Sequence, residues 1–182
     1  MKKVLIALLV MAFPMSVLAM DIPQGKYELT GTTSFDFSSS SVDTGAGDVD
    51  ADTISLELDA QYYFQKNVAF GLFWNYNDTD FDGTAADSTF WMIGPQATVN
   101  HSIDPKLSFF LNGGVGYANY DLGNNDADGF GLKVGGGVKY FIVNNVGIVG
   151  QLKYTRLWLD PDQGGDWDYD EFSFGLGLSI LF

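Results

Sequence analysis

From Lys26 onward, apolar and polar residues alternate with a period of two. Tyr27, Leu29, Phe35 and Phe37 are interleaved with Lys26, Glu28, Thr30, Thr32, Ser34 and Asp36. Successive strand side chains point to opposite sides, so this pattern predicts a strand with two unlike faces. Residues 53–64 repeat it, with Ile54, Leu56, Leu58, Ala60, Tyr62 and Phe64 on one face and Ser55, Glu57, Asp59 and Gln61 on the other. Similar runs at residues 68–76, 89–100, 107–120, 129–141, 146–158 and 169–182 bring the expected number of strands to eight. The connections alternate in length. Residues 65–67, 101–106 and 142–145 are short, whereas 38–52, 77–88, 121–128 and 159–168 are long and rich in Asp, Gly, Ser and Asn. An even strand number with tight turns at one rim and long loops at the other is the plan of an outer-membrane barrel.

A soluble barrel alternates equally well, with its apolar face inward, so periodicity alone does not decide between the two. Three other features favour the membrane. The strands are long enough for a tilted membrane strand, which needs about 9–11 residues. The polar face combines charges (Glu57, Asp59, Lys133, Lys139, Lys153) with many glycines, a mixture that suits a narrow lumen better than a solvated exterior. Aromatic residues collect near strand ends, at Tyr62, Phe64, Trp74, Tyr76, Trp91, Tyr117, Tyr140, Tyr154 and Trp158, as two interfacial girdles would.

The C-terminal run places Phe172, Phe174, Leu176, Leu178, Ile180 and Phe182 on one apolar ladder. The segment FSFGLGLSILF resembles the closing strand recognised by the outer-membrane assembly machinery. IGPQATVN, FFLNGGVGYANY and LKVGGGVKYF resemble mid-barrel strands of the small eight-stranded outer-membrane β-barrel superfamily (OmpA/OmpX/OmpW-like). The resemblance covers residues 24–182 and implies an all-β, antiparallel, up-and-down transmembrane barrel. It also implies that the ladder is the assembly signal, and that the partners are outer-membrane lipids, lipopolysaccharide and the assembly machinery. It carries no particular activity, because fold does not confer function.

Residues 1–19 add an export signal: Lys2 and Lys3, the apolar run VLIALLVMAF, then Val17-Leu18-Ala19 with small residues before the expected cut. Pro14 interrupts the run, which falls short of the roughly 20 apolar residues of a spanning helix. The expected organisation is therefore a signal peptide at 1–19 and one barrel domain at 20–182, monomeric, in the outer membrane of a Gram-negative bacterium. With 23 acids against 9 Lys and Arg and a net charge of −14, nucleic acid is excluded as a partner. The absence of cysteine removes disulfides, thiolate metal sites and thiol nucleophiles.

Candidate chemistry is sparse. Facing inward, Glu28, Glu57, Asp59 and Glu171 are balanced by Lys26, Lys133, Lys139 and Lys153, and the sequence predicts an ion-pair network, centred on Glu57, Asp59, Lys133 and Lys153, that fills a lumen too narrow for an open channel. His101, the single histidine, precedes Ser102 and Asp104, but neighbouring strand residues face opposite sides, so no hydrolase constellation is expected. Asp78, Asp80 and Asp82, followed by Gly83, match the first half of a calcium loop; Thr89 stands where the bidentate glutamate belongs. No cofactor is expected beyond loosely bound Ca²⁺ or Mg²⁺ at an acidic rim, to which Asp43, Asp48, Asp121, Asp126, Asp160 and Asp168 also contribute. Arg156 stands apart there as either a phosphate contact or a snorkelling or lumenal charge. The expected role is non-enzymatic: envelope integrity, adhesion or surface interaction. The alternatives are a small passive pore and, less favoured, a lipid-modifying enzyme.

Overall fold

The computed structural model describes residues 21–37, 51–81, 88–122, 125–161 and 167–182. The expected signal peptide and Asp43, Asp48, Asp82 and Gly83 lie outside the described residues. Eight strands follow in chain order: β1 (Tyr27–Phe37), β2 (Ala51–Gln65), β3 (Val68–Phe81), β4 (Ser88–Ser102), β5 (Leu107–Leu122), β6 (Asn125–Val143), β7 (Val146–Pro161) and β8 (Trp167–Leu181). Each pairs antiparallel with its sequence neighbours, and β8 closes on β1 from Glu28↔Leu181 to Phe37↔Phe172. Closure leaves no sheet edge, the condition for placing strands in hydrocarbon.

Following the partners of Thr32 through Glu57, Asn75, Met92, Ala118, Gly129 and Leu159 leads to Trp167 on β8. The direct β8 partner of Thr32 is Gly177. The shift from position 177 to 167 is the stagger that tilts the strands and sets the bore. At Gly177 the wall is so tight that a Cβ would overlap the Gly31 carbonyl oxygen.

The distribution of side chains is inside out. Leu29, Leu58, Leu72, Val115, Val134, Leu152, Leu176 and Leu178 face outward and exposed, while Glu28, Glu57, Asp59, Gln96, Lys133, Lys139 and Gln151 are buried within. An apolar belt of this extent is stable only against lipid.

The strand bounds correct two expectations. The β5–β6 connection shrinks to residues 123–124, and Asp121, Asp126 and Asp128 sit on paired strands rather than in a long loop. Lys26 precedes β1 and is exposed, so it does not belong to the lumenal charge set.

Candidate functional site

The lumen is built by every second residue of each strand, so its chemistry follows from strand register. At its waist Lys133 is fully buried, with its ammonium 2.7 Å from Glu57 Oε1 and 3.3 Å from Asp59 Oδ1. Lys153 lies 3.0 Å from the other Glu57 oxygen, so Glu57 bridges two lysines and the quartet is neutral. The Phe73 ring sits under the Lys133 ammonium at 4.3 Å, adding a cation–π contact.

A second layer lies nearer the short turns. Lys139 donates to both Glu28 oxygens at 2.6 and 2.8 Å, Tyr63 donates its hydroxyl to Glu28 Oε2 at 2.6 Å, and Ser179 donates to Oε1. Asn100 donates to the Tyr63 hydroxyl at 3.0 Å, and Lys139 lies 4.9 Å from the Phe110 ring centre. These partners satisfy charges that would be prohibitively costly to bury alone. Toward the long loops, Glu171 accepts from Asn77 and Tyr169, each at 3.2 Å.

Apolar side chains gather toward both ends of the lumen. Phe90, Met92, Ala118, Ala127, Leu157 and Leu159 pack together at the loop end, reaching down to Phe73, with Tyr120 and Tyr169 against them. Ile22, Tyr63, Ala69, Phe141 and Leu181 close the turn end. The polar waist thus lies between two apolar clusters, with Ser55, Ser88 and Glu171 also buried toward the loops.

The family profile described as "Outer membrane protein beta-barrel domain" matches residues 5–179. The chain belongs to this outer-membrane β-barrel family. Solved structures share its fold. A Neisserial surface protein A is 14% identical, covering 86% of this chain and 96% of its own, with a TM-score of 0.61. Ail, the attachment invasion locus protein of Yersinia pestis, is 14% identical over 87% and 99%, with a TM-score of 0.56. OprG of Pseudomonas aeruginosa is 15% identical over 88% and 97%, with a TM-score of 0.55. No curated protein matches the chain.

In an outer-membrane barrel the short turns face the periplasm and the long loops the cell exterior. The aromatic residues form two outward bands accordingly. Tyr27, Tyr62, Phe64, Phe70 and Tyr140 lie toward the periplasmic turns, with Tyr27 and Tyr62 in contact at 5.0 Å. Trp91, Tyr117, Phe130, Tyr154 and Trp158 lie toward the loops, with Trp91 and Tyr117 5.6 Å apart. Arg156 belongs to the outward face of this upper band and not to the lumen: it pairs with Asp168 at 2.9 Å and Asp170 at 3.5 Å and lies against Trp158. Neighbouring strands there oppose like charges, Asp121 to Asp126 and Asp128 to Asp160. Asp128 accepts from Asn119 at 2.8 Å.

The remaining candidates are not gathered into a site. His101 and Ser102 project to opposite faces of β4, and Asp104 caps the following turn by accepting from the Lys106 and Leu107 amides at 2.7 and 2.8 Å. Asp78 accepts from Tyr76 and Thr89, each at 3.4 Å, while Asp82 and the side chain of Asp80 lie outside the described residues. Among the described residues no group of three or more acids and histidines is assembled for a metal. The outward ladder Phe172, Leu176, Leu178, Ile180 and Phe182 is exposed to lipid, and Phe174 is half-buried on the same face.

Proposed function

We propose that this outer-membrane barrel is a closed, non-enzymatic, monomeric scaffold that presents acidic loops at the cell surface, serving envelope integrity, adhesion or surface interaction. The observation that supports it is a charge-balanced, paired waist lying between two apolar clusters that narrow the lumen. Such a lumen offers ions no continuous wet path, and the functional surface is therefore the loop rim. Its negative charge suits cationic partners, or lipopolysaccharide only where divalent cations bridge the two; loose Ca²⁺ or Mg²⁺ at the rim fits this reading. The Arg156 cluster lies at the level where lipopolysaccharide headgroups meet the upper aromatic band. The outward C-terminal ladder serves recognition by the assembly machinery.

A pore reading draws on Gln61, Thr98 and Asn112, each with a buried side-chain oxygen that has no protein partner and favours hydration of the lumen. The two caps weigh against it. The surface role is tested by labelling intact cells with an impermeant thiol reagent, using the cysteine-free chain as background. Asp126→Cys is expected to react and Lys66→Cys is not, and a strain lacking the protein should lose surface binding or envelope resistance that the wild-type gene restores. Labelling at Lys66, or an unchanged strain, overturns the assignment.

A further inference from the structure

The periplasmic cap is not made by the barrel wall alone. Residues 21–25 precede β1 and cross beneath the barrel, carrying the fully buried Ile22 in among Tyr63, Ala69, Phe141 and Leu181. Their hold is a set of backbone and turn contacts. The Ile22 N–H donates to Asn67 Oδ1 at 2.8 Å, the Asn67 N–H donates to the Ile22 carbonyl at 3.0 Å, and the Gly25 N–H donates to the Tyr63 carbonyl at 2.8 Å. Asn67 Nδ2 also donates to Asp21 Oδ1 at 2.8 Å, beside a 2.6 Å contact between Lys66 and the other Asp21 oxygen.

Asn67 occupies the left-handed region at φ 62°, which aims both its amide and its side chain at this segment. Asn tolerates that conformation better than most residues. The turn between β2 and β3 therefore acts as a receptor for residues 21 and 22.

The hold differs in kind from that of the wall. Each wall strand is paired with a neighbour on both sides, over at least seven residues of each contact, whereas residues 21–25 rest on one buried side chain, a few turn hydrogen bonds and an exposed ion pair. Segments with few buried contacts open locally without global unfolding. Directly behind Ile22 stand the polar groups of the lower layer, Glu28, Lys139, Tyr63 and Asn100, and beside them Ser102 and Ser108. The loop-end cap shares no residue with the turn-end cap.

We propose that residues 21–25 are a displaceable strap with Asn67 as its keeper. Its release opens the lower lumen to small polar solutes of the periplasm while the loop-end cap stays shut. The barrel is then a chamber accessible from one side, and access and conduction become separable properties.

The test uses the full chain in lipid vesicles with Ser108→Cys as a unique reporter; Ser108 is 1% exposed and the chain has no other thiol. A second reporter, Ala118→Cys, sits in the loop-end cap. A small cationic thiosulfonate is added, and its rate of reaction is compared with and without Ile22→Ser and Asn67→Gly, the glycine preserving the left-handed turn. The strap predicts slow labelling of both reporters in the intact protein. In the double variant it predicts roughly tenfold faster labelling at Ser108→Cys alone. Three results overturn it: rapid labelling of Ser108→Cys with the strap intact, an unchanged rate after its release, or equal acceleration at both reporters, which indicates general loosening of the barrel.

Discussion

Replacing Lys133 by Met keeps the length and apolar stem of the side chain and removes only the charge that ties two acids together. Lys133 is fully buried, 2.7 Å from Glu57 and 3.3 Å from Asp59. Glu57 keeps Lys153 at 3.0 Å after the change, so the orphaned group is chiefly Asp59. Breaking a buried pair in this way costs about 3–5 kcal/mol, because a carboxylate is left without its counter-charge away from water. The Phe73 contact is lost as well, a loss common to every variant that lacks the ammonium. Adding Asp59→Asn removes the orphan and leaves Glu57 and Lys153 as a balanced pair. The double variant should therefore recover much of the loss, with a coupling of about 1–3 kcal/mol in a double-mutant cycle. Reversible urea unfolding in lipid vesicles measures each corner of the cycle. Additive effects, or a single change costing under about 1 kcal/mol, would refute a dry, paired waist and indicate charges bathed in water.

Leu176 faces lipid, so Leu176→Arg should cost about 2–4 kcal/mol near the midplane in the same assay, and a neutral result would contradict the outward assignment of the C-terminal ladder. Deleting Phe182 should slow membrane insertion in cells and leave periplasmic or degraded protein; normal outer-membrane yield would remove the ladder from the assembly signal. Hydrogen bonds from Lys66 and Asn67 hold the Asp21 carboxyl below its ordinary value, with His101 a further cationic influence. A carboxyl depressed on docking stabilises the docked strap above its undocked value, and that contribution is lost as pH falls through the docked one. Lys66→Met should thus raise the Asp21 midpoint in a carbon-detected NMR titration, and an unmoved midpoint would dissociate Lys66 from the strap.

The strand plan was legible because lipid and lumen impose opposite polarity on alternate residues, and most strand cores obey that rule. The charged waist was legible for the same reason: Glu57, Asp59, Lys133 and Lys153 occupy the polar phase of their strands. The caps were not. At the strand ends Tyr62-Tyr63-Phe64, Phe90-Trp91-Met92-Ile93 and Leu157-Trp158-Leu159 are apolar on both faces, so alternation hides which residue turns inward. Those unbroken apolar stretches are themselves the signal that the lumen closes there. Lys26 fits the polar phase yet lies before β1, where the strand's facing rule no longer applies. Residues 21–25 carry no period at all, and their place under the barrel depends on a turn more than forty residues away in sequence. Arg156 was ambiguous because, between the polar Thr155 and the apolar Leu157 near a strand end, a long cationic side chain can serve either face; pairing with Asp168 and Asp170 depends on the β7–β8 register.

Conductance of the wild-type protein in a planar bilayer tests the closed lumen most directly. Purified, folded barrel inserted into the membrane in concentrated KCl should add no unitary current steps at any voltage that leaves the bilayer intact, as the proposed closed lumen requires. Reproducible ohmic steps from the folded wild-type barrel would contradict the account and make the paired waist part of an ion pathway.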